Sequence, residues 1–337
     1  MDFAARAHNH NYRMDPIVRS REDSDFYKLT MGQVIHEKHP MTRVAFELTN
    51  RTTDVRLADF IELAEVKEQL DHVQTLRWTK SELINVKGQT YYGVEGMFKP
   101  AMVNALAHSK LPDYEISVDR DAGQFVFRSE GAWFDVKDWE IHVLSVVNEL
   151  RNRAVMRKMP KSALDIMYAR AKVKLYAKLE RLKQFPELSV SDFGSRRRHS
   201  FLWQEWAVLT ACEVLGTQFV GSSNVHIAHK HGLEAIGTNA QEIPMVYAAL
   251  AAGVSDEALR NSQYQVLQDW MSVYGENLRI FLPDTFGTSQ FLAGAPAWLQ
   301  WWKGYRPDSK EPFEAGEEAI AFWKRLATDP TKKMCLF

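Results

Sequence analysis

The feature that most restricts this chain is a run of strand–turn–helix units that begins at residue 188. The first has a β-rich stretch at 188–192, then Phe193 and Gly194, then a helical pattern that Gly216 stops. The second joins 218–220 through Gly221-Ser222-Ser223-Asn224 to a helix ending near Gly232. The third joins 235–236 through Gly237-Thr238-Asn239-Ala240 to a helix that reaches about Ala252. The fourth joins 279–282 through Asp284-Thr285-Phe286-Gly287-Thr288 to a short helix ending at Leu292. The fifth joins 304–306 through Pro307-Asp308-Ser309 to a helix over 314–326, and 334–337 reads as a sixth strand. Such alternation predicts an α/β fold with a parallel sheet and crossover helices, closed into a barrel or doubly wound. In both architectures ligands meet the chain where strands end.

The preceding residues follow a different plan. Residues 1–20 are polar and irregular; a helix opens over 24–31 with Ser24 or Asp25 as its cap. A strand is expected over 43–52 and a helix over 55–76. Two β-rich runs, 114–118 and 124–127, flank Asp119-Arg120-Asp121-Ala122-Gly123, a hairpin signal, and β character continues over 131–139. Helices follow over 142–156 and 162–183. With no low-complexity linker, the expected boundary is soft: an N-terminal α+β domain with connecting helices over 1–160, and the α/β region over 161–337.

Composition removes several function classes. A net charge of −1 over 337 residues gives no broad electrostatic surface for nucleic acid. The two cysteines, Cys212 and Cys335, make neither a disulfide framework nor a cysteine zinc site. The N-terminus lacks the apolar core of a signal peptide, and the longest apolar run, near 246–254, is too short to span a bilayer. A cytoplasmic protein that engages neither membrane nor nucleic acid is the expectation. His226, His229 and His231 lack a carboxylate at metal-ligand spacing and read as surface residues, and no Gly-x-Ser-x-Gly nucleophile elbow occurs.

What remains is polar chemistry at successive strand ends. Ser195 is expected to cap the first helix, which would put Arg196, Arg197 and Arg198 in its first turn. The helix dipole disfavours cations there, so an anion would compensate; a solvated basic face is the alternative. Arg196 and Arg306 could clamp phosphate or carboxylate by paired hydrogen bonds. Asp284 and Asp308, on neighbouring strand ends, could hold magnesium or the hydroxyls of a ribose. Phe193 could stack on a flat ring or be buried in the core. The turns at 221–224 and 237–240 could offer backbone N–H groups to an anion. If these strand ends converge, they describe a site for a phosphorylated sugar and a planar, anionic aromatic.

These residues resemble the nicotinate phosphoribosyltransferase family. The resemblance runs from Ile17 to Phe337 and rests on an ordered set of motifs. They are Asp25-Phe26-Tyr27-Lys28-Leu29, Ser191-Asp192-Phe193-Gly194-Ser195-Arg196-Arg197-Arg198 and Gly221-Ser222-Ser223-Asn224. They continue with Gly237-Thr238-Asn239-Ala240-Gln241-Glu242, Leu282-Pro283-Asp284-Thr285-Phe286-Gly287-Thr288 and Arg306-Pro307-Asp308-Ser309. The resemblance implies an irregular α/β barrel with an N-terminal α+β domain, and a homodimer whose active site lies at the subunit interface. It implies that nicotinate is joined to phosphoribosyl pyrophosphate, with magnesium and coupled ATP hydrolysis, in NAD biosynthesis. By motif, Phe193 would stack on the pyridine and Tyr27 would reach in from the other subunit. Arg196 and Arg306 would bind the substrates' anionic groups, and Asp284 and Asp308 would handle ribose and metal. Thr238 and Ser309 belong to the same substrate-binding turns. Ser223 would face the pyridine substituent, where a neutral residue accepts a carboxylate and an acid would repel it.

Two departures modify that expectation. Where the family has a histidine that ATP phosphorylates, this chain has Gln241, whose amide is no phosphoryl acceptor. The known route of ATP coupling is therefore expected to be missing. Family members also continue beyond the equivalent of Phe337, with further barrel strands and the loop for the sugar 5′-phosphate. The barrel is thus expected to be incomplete at its C-terminus. Truncation, completion by a second polypeptide, and a catalytically impaired paralogue that binds pyridine nucleotide or a partner subunit are the readings that follow.

Overall fold

The computed structural model describes residues 16–91 and 93–336. They divide into two compact units that interleave along the chain. The first comprises residues 16–26, 41–88 and 100–237; the second comprises 27–40, 89–99 and 238–336.

The first unit begins with an antiparallel sheet of order β1-β3-β2, made of β1 (Arg43–Glu47), β2 (Tyr114–Asp119) and β3 (Gln124–Ala132). The expected hairpin forms with Asp119 opposite Gln124. Strict alternation along β3 buries Phe125 and Phe127. They pack with Trp139, Val143, Val146 and Leu150 from the Trp139–Arg157 helix and with Val66 and Leu70 from Leu63–Thr75. The β character expected over 131–139 ends early, because Trp133–Val136 turns helical. Trp133, Val136 and Trp139 recur every third residue and all reach the core, a helical spacing rather than a strand's.

The Lys161–Leu182 helix leads to β4 (Val190–Asp192) and β5 (Phe219–Ser222), which pair in parallel. The expected third strand contributes only an isolated bridge between Ser222 and Ala235. Gly221 is required here: its φ is 141°, and a Cβ would lie 2.1 Å from the carbonyl oxygen of Glu234. Leu179, Phe201, Val208, Leu215, Phe219 and Ile227 form the local core.

In the second unit β6 (Ile280–Phe281), β7 (Gly304–Tyr305) and β8 (Met334–Cys335) pair in parallel in that order. Phe281 lies at the centre of an aromatic core, with the rings of Phe291, Trp302, Tyr305, Phe322 and Trp323 between 5.4 and 5.9 Å or, for Phe322, 6.0 Å away. A helix over Asp256–Tyr274 is an addition to the expected units. Ser255 accepts from the Ala258 N–H as its cap, and Asp256 and Glu257 occupy its first turn. The α/β class and the parallel strand–helix succession are as expected, but the parallel strands pair as two separate sheets among the described residues. None of the described helices is long and apolar enough to cross a membrane.

One buried group of the first unit gives a pH-dependent stability. His142 is wholly buried, and neither ring nitrogen has a hydrogen-bond partner among the described residues. Burial, and then the charge of Arg21, push its pKa down to about 4. The unfolded chain takes up this proton near pH 6.5, whereas the folded chain resists it until about pH 4. Stability from this group is therefore complete above about pH 6.5 and falls by about 3 kcal/mol as pH drops to 4. Urea titrations at pH 7 and pH 4 should show a loss of about that size in excess of the loss in His142→Phe. Equal losses in both proteins would remove His142 as the cause.

Candidate functional site

The expected helix start at Ser195 is not observed. Residues Ser195–Arg197 form a single 3-10 turn, and the helix begins at Phe201 with Ser200, which accepts from the Trp203 N–H, as its cap. The three arginines thus precede the helix instead of occupying its first turn. Their fates diverge. Arg198 is buried, pairing through both terminal nitrogens with Asp23 at 2.6 and 3.1 Å and donating to the Ile17 carbonyl at 2.7 Å. Desolvation pushes the Asp23 carboxyl up, but the charge and hydrogen bonds of Arg198 and the Asn224 amide outweigh it and bring the pKa to about 2. Arg197 is exposed. Arg196 is half-buried and meets Glu140 at 2.5 Å.

The next strand end carries a buried network. Ser222 Oγ and Gln204 Nε2 donate to Asp192 Oδ2 at 2.7 and 2.8 Å, and the Ser223 N–H donates to the Asp192 carbonyl. Asn224 caps the Val225–His231 helix through its carbonyl oxygen, while its amide donates to Asp23 and Ser195. Ser223 is fully buried, and its hydroxyl donates to Asp25 at 2.6 Å. Burial pushes the carboxyls of Asp25 and Asp192 up, against these hydrogen bonds. Asp25 therefore anchors the Ser223 turn, and the helix expected from residue 24 starts at Tyr27. Phe193 is 45% exposed beside this network.

The second unit assembles another group of expected residues. Arg306 follows β7, and its backbone N–H donates to the Phe281 carbonyl of β6. Its guanidinium donates to Thr238 Oγ1 at 3.1 Å and to the Asn239 carbonyl at 3.0 Å. Asp284 follows β6 and accepts at Oδ2 from Gln241 Nε2 (2.9 Å) and Ser309 Oγ (2.6 Å). Its Oδ1 is buried with no hydrogen-bond partner among the described residues. Asp308 is exposed, next to Ser309. Tyr27 is buried, with the Lys28 ammonium 5.6 Å from its ring centre. Lys28 in turn pairs with Glu242 at 2.5 Å, and Thr30 Oγ1 donates to the Thr238 carbonyl at 2.6 Å.

The turn at 238–241 thus holds both a guanidinium and a carboxylate in fixed orientation. An arginine so placed suits phosphate or carboxylate recognition. Among the described residues no three acidic, histidine or cysteine side chains gather as a metal cage. Magnesium needs only one or two carboxylates beside substrate phosphate, and the unpartnered Oδ1 of Asp284 fits that demand. Asp23 and Glu140 as partners of the arginine turn, and the Lys28–Glu242 pair beside Tyr27, are not marked in the sequence. Local signals are absent for most of them, because the pairs span up to 214 residues.

Two family models divide the chain. The model for the nicotinate phosphoribosyltransferase (NAPRTase) N-terminal domain matches residues 23–148, and that for the nicotinate phosphoribosyltransferase (NAPRTase) family matches residues 188–337. Among solved structures, the chain is similar to nicotinate phosphoribosyltransferase from Porphyromonas gingivalis, with 24% identity and a TM-score of 0.81 over 95% of this chain and 77% of that one. The enzyme from Vibrio cholerae is 27% identical, with a TM-score of 0.78 over 96% of this chain and 74% of that one.

Proposed function

The chain belongs to the nicotinate phosphoribosyltransferase family, and we propose that it forms nicotinate mononucleotide from nicotinate and phosphoribosyl pyrophosphate, releasing pyrophosphate. This is a step of NAD biosynthesis. The observation that carries the reading is the constellation at the ends of β6 and β7: Arg306 held by Thr238 and Asn239, and Asp284 oriented by Gln241 and Ser309. In the second unit Arg306 binds an anionic group of the substrates and Asp284 and Asp308 hold the ribose hydroxyls; in the first unit the family resemblance gives Arg196 an anionic group to bind. Phe193, already exposed, stacks on the pyridine ring. Displacement at the sugar carbon develops positive charge on the ring and negative charge on the leaving pyrophosphate. It needs no nucleophilic side chain, only a positioned pyridine nitrogen and cations at the leaving group. Asp284, whose Oδ1 is unpartnered among the described residues, and Asp308 would hold magnesium, which would supply positive charge for the leaving pyrophosphate.

The reading includes a cytoplasmic homodimer. By the family resemblance Tyr27, buried within its own chain, serves the site of the other subunit. The buried Ser223 hydroxyl, committed to Asp25, acts by holding the turn, and it adds no charge against the nicotinate carboxylate. Gln241 donates its amide to Asp284, a structural use that leaves no phosphoryl acceptor there. Catalysis is therefore uncoupled from ATP. The purified chain with nicotinate, phosphoribosyl pyrophosphate and magnesium should form nicotinate mononucleotide at the same rate with and without ATP. Absence of product under both conditions would favour the non-catalytic, ligand-binding paralogue. Labelling of the chain by γ-labelled ATP at a histidine would overturn the uncoupling.

A further inference from the structure

One face of the Trp139–Arg157 helix grips the arginine turn by its carbonyl oxygens. Ser145 Oγ donates to the carbonyl of Ser195 at 3.0 Å, Asn148 Nδ2 to that of Arg196 at 2.6 Å, and Asn152 Nδ2 to that of His199 at 3.0 Å. Spacings of three and four residues put these donors in one row on the helix. In the same helix Glu149 accepts from the Phe201 N–H at 3.0 Å, and Glu140 pairs with the Arg196 side chain at 2.5 Å.

Outside that helix, the turn is anchored at its flanks, by Arg198 on Asp23 and the Ile17 carbonyl and by Ser195 Oγ accepting from Asn224. Its own backbone supplies two bonds of the 3-10 type, Arg197 N–H to Gly194 and Arg198 N–H to Ser195, the second at 3.4 Å. A single such turn is not a stable local structure. Arg196, between those flanks, is held by the helix itself, its carbonyl by Asn148 and its guanidinium by Glu140.

We propose that Ser145, Asn148, Asn152 and Glu140 are positioning residues that pre-set Arg196 for an anionic substrate group. The proposal rests on the reading of Arg196 as a substrate contact. Pre-setting an arginine lowers the ordering cost of binding, so its loss weakens affinity rather than turnover.

The test uses the full chain with Asn148→Ala/Asn152→Ala and, separately, Glu140→Gln. Calorimetric titration gives Kd for nicotinate and for phosphoribosyl pyrophosphate without requiring turnover. Trypsin cleavage after the exposed Arg197, mapped by mass spectrometry, reports on the turn itself. In the double variant cleavage should be about tenfold faster, and Kd for one of the two substrates should rise about tenfold with kcat within about twofold. Glu140→Gln should raise the same Kd about fivefold and leave cleavage unchanged. Unchanged cleavage in the double variant, or unchanged Kd for both substrates, overturns the proposal. A wild-type chain that binds both substrates without forming product overturns the proposed function alone, and the Kd ratios still decide this inference.

Discussion

Arg306→Ala is expected to lower kcat/KM for nicotinate mononucleotide formation by about a hundredfold, the value of one or two charge-assisted hydrogen bonds lost from the transition state. The position of the residue makes the result specific. Its backbone N–H remains bonded to Phe281 in the variant, so the strand end should keep its path. What disappears is a guanidinium held by Thr238 Oγ1 and the Asn239 carbonyl, the two contacts that fix its direction. Arg306→Lys should recover little, because an ammonium's three donors radiate from one nitrogen and lack the planar fork that meets Thr238, Asn239 and a phosphate together. Thr238→Val removes one of the two contacts and should give an intermediate loss of about tenfold. Steady-state kinetics of the three variants check this ranking. Less than about a threefold loss in Arg306→Ala would remove Arg306 from the site.

The largest effect on stability should come from Asp23→Asn. Asp23 and Arg198 are 0% and 1% exposed at their side chains, and the variant leaves the guanidinium buried without its counter-charge. Breaking a buried pair from one side costs about 3–5 kcal/mol, whereas removing both charges costs far less. Urea unfolding should show that loss in Asp23→Asn and a smaller one in Asp23→Leu/Arg198→Met. The Ile17 carbonyl loses a donor in the double variant, which limits the recovery. A loss below about 1 kcal/mol in Asp23→Asn would show that the pair is not the anchor of the arginine turn. Acid sensitivity follows the same pair. The Asp23 carboxyl, held at about 2, contributes stability above its ordinary pKa that is lost only as pH falls towards 2, below the window in which His142 acts.

Much of the architecture was legible because it is local. The hairpin at 114–127 follows from a Gly-containing turn between alternating runs. The Ser255 cap and the acidic first turn of Asp256–Tyr274 were in plain view, although the strand–turn–helix scheme passed over that helix. Ser195 and Ser200 are equally good caps by composition, so local sequence does not distinguish a helix start at one from a start at the other. The choice went to Ser200 because Ser145, Asn148 and Asn152 hold residues 195–199 as a turn, and those bonds span 47 to 50 residues.

The chemistry divides along the same line. Residue types and their order marked the strand-end turns and the family, since both are properties of consecutive residues. Which arginine is buried and which is half-exposed was decided by Asp23, 175 residues from Arg198, and by Glu140, 56 residues from Arg196. Likewise Ser223 reads as an open hydroxyl until Asp25, 198 residues away, takes its proton donor. Local backbone preference fixes where a polar side chain stands along the chain. Its charge state, burial and free lone pairs depend on what packs against it, and that partner is known only once the chain has folded.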